Sequence, residues 1–528
     1  MRDFSKPSRS VALGMRAMVA TSNPQAALAG LDVLRRGGNA VDAAITIAAM
    51  LAVVEPSQTG IGGDCFVLLK KRGQAPIALN GSGWSPAGAS AARLRSQGIQ
   101  AVDPQTAAAV TVPGAVRAWH RLLADHGTRS LQDALEPAID AARSGYPVTE
   151  RLARDWARQV DKLSACEDSR DIFLPHGKPP RMGDIHSNPR LADALAAIAR
   201  EGADAFYSGW IAEDIVQFLQ RRGSTMTMDD LASYRPEYVT PIATAYREYQ
   251  LWECPPNGQG VVALQLAAMQ QAFDIGRYGP LSTERYHLHA EISRLAYSQR
   301  DTILGDPGFF PVDIDRLVSP ATIATLTGQV DMRRRMVALP PVAAPEHRDT
   351  VYIAVVDRDG TMVSFINSIF DDFGSGLTVP RSGILLHNRG CGFVLDPGHP
   401  NELQGRKRPL HTIIPALLTQ AGDAVMAFGV TGGHFQPSGQ IQVLSNIIDY
   451  GMGIQQAIEH PRLFARGETL ELEATVPMEV WDGLRKRGHC PTLAVNPLGT
   501  CHAIWADHAA GTYQGGSDCR RDGLALGY

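Results

Sequence analysis

Long hydrophobic runs are missing from this 528-residue chain. The longest stretch near the N-terminus without charge or proline, Ala43 to Val54, has 12 residues, against the ~20 a spanning helix needs. Concentrated positive charge is missing too: Lys+Arg 50 against Asp+Glu 54 leaves a net charge of −4. Nucleic acid and anionic membrane surfaces are therefore excluded as main partners. The short run Arg333-Arg334-Arg335 reads as solvated chain. The opening MRDFSKPSRS has no apolar core region and no small-residue cleavage site, which argues against a secretory signal. No Cys-x-x-Cys pair occurs, and the seven cysteines are odd in number and scattered. A zinc ribbon and a disulfide framework are both excluded, and reduced thiols of a cytoplasmic protein fit best. There is no HExxH. His287-Leu288-His289 lies in a helical pattern, where residues two apart point about 200° apart, so these imidazoles do not share an ion. The expectation is no metal and no cofactor. Gly60-Ile61-Gly62-Gly63 precedes a strand rather than joining a strand to a helix, which removes a dinucleotide loop.

What is present is a globular composition, 44% apolar and 20% charged. Ser22-Asn23-Pro24 opens a helix, with a capping side chain followed by Pro at a tolerated position; Leu28, Leu31 and Leu34 follow, and Gly37-Gly38 ends it. A second helix from Ala40 to about Val54 is apolar on nearly all sides and should be buried. It leads through the glycine-rich turn into the strand-like Cys65–Leu69. Residues 105–335 read mostly as amphipathic helices, among them Leu191–Arg200, Ile211–Arg221 and Glu284–Arg300. At 339–349, LPPVAAPEHRD, the texture becomes Pro-rich and polar, an exposed linker. Directly after it TVYIAVVDRDGTMVSFI places strand formers on both sides of Asp359-Gly360, a hairpin signal. A helix-rich first two-thirds thus precedes a strand-rich last third.

Thr350 is the first residue after the linker. A threonine hydroxyl is a poor nucleophile unless a base takes its proton. Cutting the Asp349–Thr350 bond would give Thr350 a free α-amine with a reference pKa of about 7.7–8, suited to that task. On position alone, the plain strand start is the simpler reading of Thr350.

The motifs decide between these readings. Residues 37–66 (GGNAVDAAITIAAMLAVVEPSQTGIGGDCF), 112–116 (VPGAV), 202–209 (GADAFYSG), 229–237 (DDLASYRPE), 255–260 (PPNGQG), 347–360 (HRDTVYIAVVDRDG), 373–376 (FGSG), 383–390 (GILLHNRG), 405–418 (GRKRPLHTIIPALL), 429–433 (GVTGG) and 515–528 (GGSDCRRDGLALGY) arrive in one order. In them the chain resembles the γ-glutamyltransferase family of N-terminal-nucleophile (Ntn) hydrolases. The resemblance implies an α+β fold, a four-layer αββα sandwich built from two pieces of one precursor. These are a large (alpha) subunit, 1–349, and a small (beta) subunit, 350–528, which some members pair further. It implies an autocatalytic cut between Asp349 and Thr350 and Thr350 as nucleophile and general base. Gly432 and Gly433 match the paired glycines of the oxyanion hole, where a backbone donor approaches without side-chain clash. Ser368 stands where the family has a supporting hydroxyl. His411 and Thr412 stand where it has a substrate-touching serine pair; Thr412 keeps a hydroxyl and His411 departs.

Other departures narrow the substrate. The family's carboxylate clamp includes an arginine, absent from Leu79-Asn80-Gly81-Ser82-Gly83-Trp84-Ser85-Pro86. Its amine clamp includes an Asp, absent from His387-Asn388-Arg389-Gly390-Cys391-Gly392-Phe393, and an asparagine is replaced by Phe370. Each lost charged hydrogen bond removes about 1.5–3 kcal/mol of recognition. Arg389 brings a positive charge instead; it either holds a compact anionic amide or makes a structural ion pair. The pattern is most similar to the oxamate amidohydrolase branch, which implies conversion of oxamate to oxalate and ammonia in purine and allantoin catabolism. A γ-glutamyl transferase or hydrolase and a dicarboxylate-monoamide (cephalosporin-type) acylase are the alternatives.

Overall fold

Alternation along the strands decides the layers. In Val351–Val356 the side chains of Val351, Ile353 and Val355 enter one apolar cluster, and those of Tyr352, Ala354 and Val356 enter another. Successive strand residues point to opposite faces, so a strand apolar on both sides must lie inside a sheet covered twice. The computed structural model describes Ser5, residues 7–337 and residues 350–528. The Pro-rich stretch 339–349, with Asp349 and the expected cut, lies outside them.

Two seven-stranded sheets stack face to face. The first runs Leu524–Gly527, Met18–Thr21, Val351–Val356, Met362–Ser368, Asp64–Lys70, Ile77–Gly81, Glu237–Val239. The second runs Ala12–Gly14, Thr512–Ser517, Cys501–Asp507, Asp423–Val430, Ala416–Gln420, Tyr249–Glu253, Ile242–Tyr246. Every pairing within them is antiparallel.

Three apolar clusters mark the spaces between four layers. One joins the first sheet to helices including Pro24–Arg35, Ala40–Val54, Ala115–His126, Leu131–Ser144 and Pro189–Glu201. A second lies between the sheets, with Phe66, Leu68 and Tyr352 against Leu417, Ala427 and Ile504. The third joins the second sheet to Gly260–Gln271, Thr283–Ile303 and Gln436–Ile448. The αββα sandwich implied by the motifs is the fold.

The change of texture near residue 349 does not divide the architecture. Seven of the fourteen sandwich strands come from before it and seven from after, interleaved in both sheets. The first part looked helix-rich because its strands are short and separated by long helical stretches.

The expected helices are present. Asn39 accepts from the Val41 and Asp42 amides at 3.0 Å and opens Ala40–Val54, every residue of which is buried. All seven cysteines are free thiols; Cys490 and Cys519 are exposed, Cys391 is partly covered and the rest are buried. No helix among the described residues is long and apolar enough to cross a membrane.

The second sheet runs across the first in a definite direction. Ser364, opposite Ala354, donates to the Phe428 carbonyl at 3.5 Å. One residue further along Asp423–Val430, Gly429 lies over the ring of Tyr352, where a Cβ would meet Cδ2 at 2.2 Å. The strand therefore advances toward the Thr350 end of Val351–Val356, and the Gly432-Gly433 turn follows it in that direction. Gly429→Ala is expected to lower stability by ~1–3 kcal/mol through overpacking between the sheets, read from chemical unfolding. An unchanged midpoint would mean the sheets are not held this closely.

Candidate active site

Thr350 directly precedes the strand Val351–Val356, which is flanked on both sides by other strands. It is 2% exposed, and its hydroxyl donates to Ser368 Oγ at 3.1 Å. Pairing of Val351 with Asn367 across the hairpin makes Ser368 its neighbour. Ser368 Oγ also accepts from the Phe370 amide at 2.9 Å, which fixes the hydroxyl. The Thr350 nitrogen donates to Gln58 Oε1 at 3.3 Å.

Phe370 stands in the left-handed region, φ +83°, a strained state for an aromatic residue. That backbone turns its ring beneath Arg389, whose guanidinium carbon lies 3.6 Å from the ring centroid. Two departures from the family pattern thus pack on each other. Arg389 is 1% exposed and donates through Nη1 to Thr412 Oγ1 at 3.0 Å. Its Nε and Nη2 are buried with no partner among the described residues. Burial pushes its pKa down to about 9, with Asp64 opposing, so the group stays charged at neutral pH. The ion-pair reading of Arg389 therefore finds no support: no carboxylate within salt-bridge distance appears among the described residues. A buried cation with two unsatisfied donors favours an anion.

Gln259 links Thr412 to the glycine turn. Its Nε2 donates to the Thr412 carbonyl at 2.8 Å and to the Gly433 carbonyl at 3.0 Å, while Oε1 accepts from Arg300 at 3.0 Å. Gly432 and Gly433 have φ +103° and +57°, conformations that favour glycine. Contacts thus run without a break from Thr350 through Ser368, Phe370, Arg389, Thr412 and Gln259 to Gly433.

His411 has a different setting. Its Nε2 lies 3.1 Å from Asp64 Oδ2 and its Nδ1 accepts from the Ile413 amide at 3.5 Å, so both ring nitrogens are committed to the scaffold. Asp64 Oδ1 also accepts from the Gly83 and Gly114 amides at 3.1 and 3.0 Å, and His387 Nδ1 lies 3.4 Å from Oδ2. Against the cost of its burial, these two histidines hold the Asp64 carboxyl far below its usual range.

The two clamp regions are also defined. Near Leu79–Pro86 Arg408 donates to the Ser82 carbonyl at 3.2 Å, but its charge is paired with Glu237 at 3.0 Å. Arg406 pairs with Asp229 on the surface. The loop His387–Phe393 carries no acid of its own, yet Asp371 leans on it and accepts from Asn388 Nδ2 at 2.7 Å. Sequence reasoning missed Asp371, Gln58, Asp64 and Gln259, although the last three lie inside the quoted motifs.

His287 and His289 diverge as their spacing requires: His287 meets His489 at 2.7 Å and His289 meets Ser438 at 2.9 Å. His287, Glu291 and His489 do gather three ligand-type groups within 4.8 Å. Each already has a protein partner: Glu291 takes Arg294 at 3.1 Å and the Met336 amide at 2.7 Å, and the two imidazoles take each other.

The family model described as gamma-glutamyltranspeptidase matches residues 26–528. The chain belongs to this family. It is an Ntn hydrolase, an enzyme acting on amide bonds. The glutathione hydrolase-like YwrD proenzyme of Bacillus subtilis is 37% identical over 98% of this chain and 99% of that protein. The oxamate amidohydrolase proenzyme of Klebsiella pneumoniae is 33% identical over 95% and 97%. The crystal structure of a cephalosporin acylase from Bacillus halodurans superposes with a TM-score of 0.94 at 38% identity, covering 100% of this chain and 99% of that one.

Buried histidines set the acid response of this fold. Burial holds His186 neutral down to about 4, and His289, His411, His460, His489 and His502 down to about 3. Unfolded histidines protonate near 6.5, so below that pH the unfolded chain binds protons the native state refuses. His126 and His287 are lowered as well, while Glu55, raised by burial to about 7, and Glu253 and Asp357, also raised, work in the opposite sense, three carboxyls against eight histidines. Stability is expected to fall as pH drops from 6.5 toward 4, with ~4 protons taken up on unfolding at pH 5. Urea unfolding at stepped pH checks this, and a flat or inverted slope contradicts it.

Proposed function

We propose that this enzyme is an autoprocessed amidohydrolase that cleaves the amide of a small carboxylate, with oxamate, giving oxalate and ammonia, as the substrate that best fits. The observation carrying this reading is Arg389, buried, charged and with two unpartnered donors. A compact anion next to a scissile amide would satisfy both. Seven free cysteines fit a reducing compartment, in keeping with a cytoplasmic catabolic role.

The proposed precursor is cut between Asp349 and Thr350 into pieces of 349 and 179 residues. Thr350 Oγ attacks the amide carbon while the freed α-amine takes its proton. The Gly432 and Gly433 amides receive the oxyanion, each such donor being worth about 2.7–4 kcal/mol. Ser368 orients the attacking hydroxyl, and the 3.1 Å bond between the two oxygens supports that role. Ammonia departs with the proton from the amine, leaving an acyl-threonine ester. Water, activated by the same amine, releases the acid. Thr412 orients Arg389, and His411 shapes the pocket wall from behind.

A second reading is a dicarboxylate-monoamide acylase, favoured by the 0.94 TM-score to a cephalosporin acylase. In that case Arg389 receives the distal carboxylate of a longer acyl group.

Wild-type protein is expected to run as two bands and Thr350→Ala as one uncut chain; two bands from Thr350→Ala would overturn the assignment. A panel of oxamate, glutaryl amides, glutamine and glutathione, scored for ammonia or amine release, separates the substrates. Arg389→Gln is expected to raise KM for the anionic amide by ~10–100-fold, the loss of a charged hydrogen bond, with kcat much less affected. An unchanged KM rules out Arg389 as the anion site.

A further inference from the structure

We infer that Gln58 is a positioning residue for the reaction: its side-chain oxygen orients the Thr350 nitrogen, and Arg521 holds that oxygen in place. The inference rests on the reading of Thr350 as the N-terminal nucleophile.

Gln58 is fully buried, just beyond the helix Ala40–Val54, and its backbone amide is tied to the Glu55 carbonyl at 2.9 Å. Its Oε1 accepts from the Thr350 nitrogen at 3.3 Å and from Arg521 Nη2 at 2.5 Å. Its Nε2 donates to Asp372 Oδ1 at 3.1 Å and to Ser57 Oγ at 3.4 Å. These partners allow only one orientation of the amide. A flip would set an NH2 group against a guanidinium and an oxygen against a carboxylate.

Arg521 is itself fixed. It is 4% exposed and paired with Asp155 at 2.9 Å, and Asp155 is held from its other side by Arg151 at 2.8 Å. The charged groups facing Gln58 are therefore Arg521 near the C-terminus, Asp372 beyond Met362–Ser368 and Asp155 in Glu150–Ala157. Glu55 caps the helix Ala40–Val54 just before Gln58, and Arg521 lies close enough to oppose the rise that burial gives its carboxyl.

This arrangement matters because of what a cut at 349–350 does to the nitrogen. In the intact chain it is a peptide N–H with one hydrogen, already directed at Gln58. After cleavage it becomes an amine free to rotate about its bond to Cα. One hydrogen donated to Oε1 leaves the lone pair to face the threonine hydroxyl, whose oxygen is held by Ser368. Without that acceptor the lone pair samples other directions and the proton transfer loses its alignment. Gln58 forms and breaks no covalent bond.

The test uses full-length protein with Gln58→Met, Gln58→Glu and Arg521→Lys. Cleavage is read by intact mass, folding by thermal unfolding, and turnover on oxamate, glutaryl amide and glutathione, following whichever the wild type hydrolyses fastest. In cut, folded material Gln58→Met is expected to lower kcat by ~10–100-fold with KM within about twofold. Gln58→Glu restores the acceptor and places a carboxylate beside the amine. It is expected to recover most of kcat with the acidic limb of the kcat/KM profile moved up by ~1 pH unit. Arg521→Lys is expected to lie between wild type and Gln58→Met. Should Gln58→Met remain uncut, the Glu variant alone decides through its acidic limb. A Gln58→Met kcat within threefold of wild type, a rise in KM alone, or an unmoved limb in Gln58→Glu overturns the inference. An uncut wild-type chain overturns the nucleophile reading instead.

Discussion

The strand Val351–Val356 is the constraint on which the site depends. It sits in the middle of a sheet, bonded to Met18–Thr21 on one side and Met362–Ser368 on the other, and all six of its residues are buried. A hydroxyl on the residue directly before it inherits the rigidity of the whole sandwich. Every other element of the site is registered to that strand. The hairpin brings Ser368, the close pass of Gly429 over Tyr352 brings the glycine turn, and the buried helix Ala40–Val54 delivers Gln58. Sites on such framework elements hold geometry more tightly than sites on loops.

Much of this was legible because it is local. The Asp359-Gly360 turn signals the hairpin, and nine residues either side of Asp359 stand Thr350 and Ser368, the latter already marked by the resemblance. The helix Ala40–Val54 could be read as buried because it is apolar on every face. The four-layer fold came from motifs in family order rather than from periodicity. Contacts bridging hundreds of residues were not legible. Gln58 is 292 positions from Thr350, and Asp64 is 347 from His411. No spacing rule carries that information; it arises only when both sheets have formed. The split into helix-rich and strand-rich parts was misleading for the same reason, since strand pairing ignores sequence distance.

The departures from the family pattern make more sense together than singly. Phe370 removes a polar side chain and Arg389 adds a charged one, and in space the ring supports the guanidinium at 3.6 Å. A cation stacked on an aromatic face keeps its in-plane donors free for planar partners such as carboxylates. The acid missing from the His387–Phe393 loop has a neighbour in Asp371, so charge of both signs borders that loop. Charge near the proposed site is placed differently rather than lost.

The interleaving of strands would carry a consequence for the molecule if the proposed cut before Thr350 is made. Neither piece owns a complete sheet, and neither encloses a hydrophobic centre alone. If severed there, the halves would be held by the lattice of cross-strand bonds and by the apolar clusters to which both contribute. Heat or denaturant that melts this lattice would convert an intramolecular folding problem into a bimolecular one, with dilution working against recovery. Durability of the mature protein would then be a matter of how slowly it opens, not of an equilibrium it can revisit.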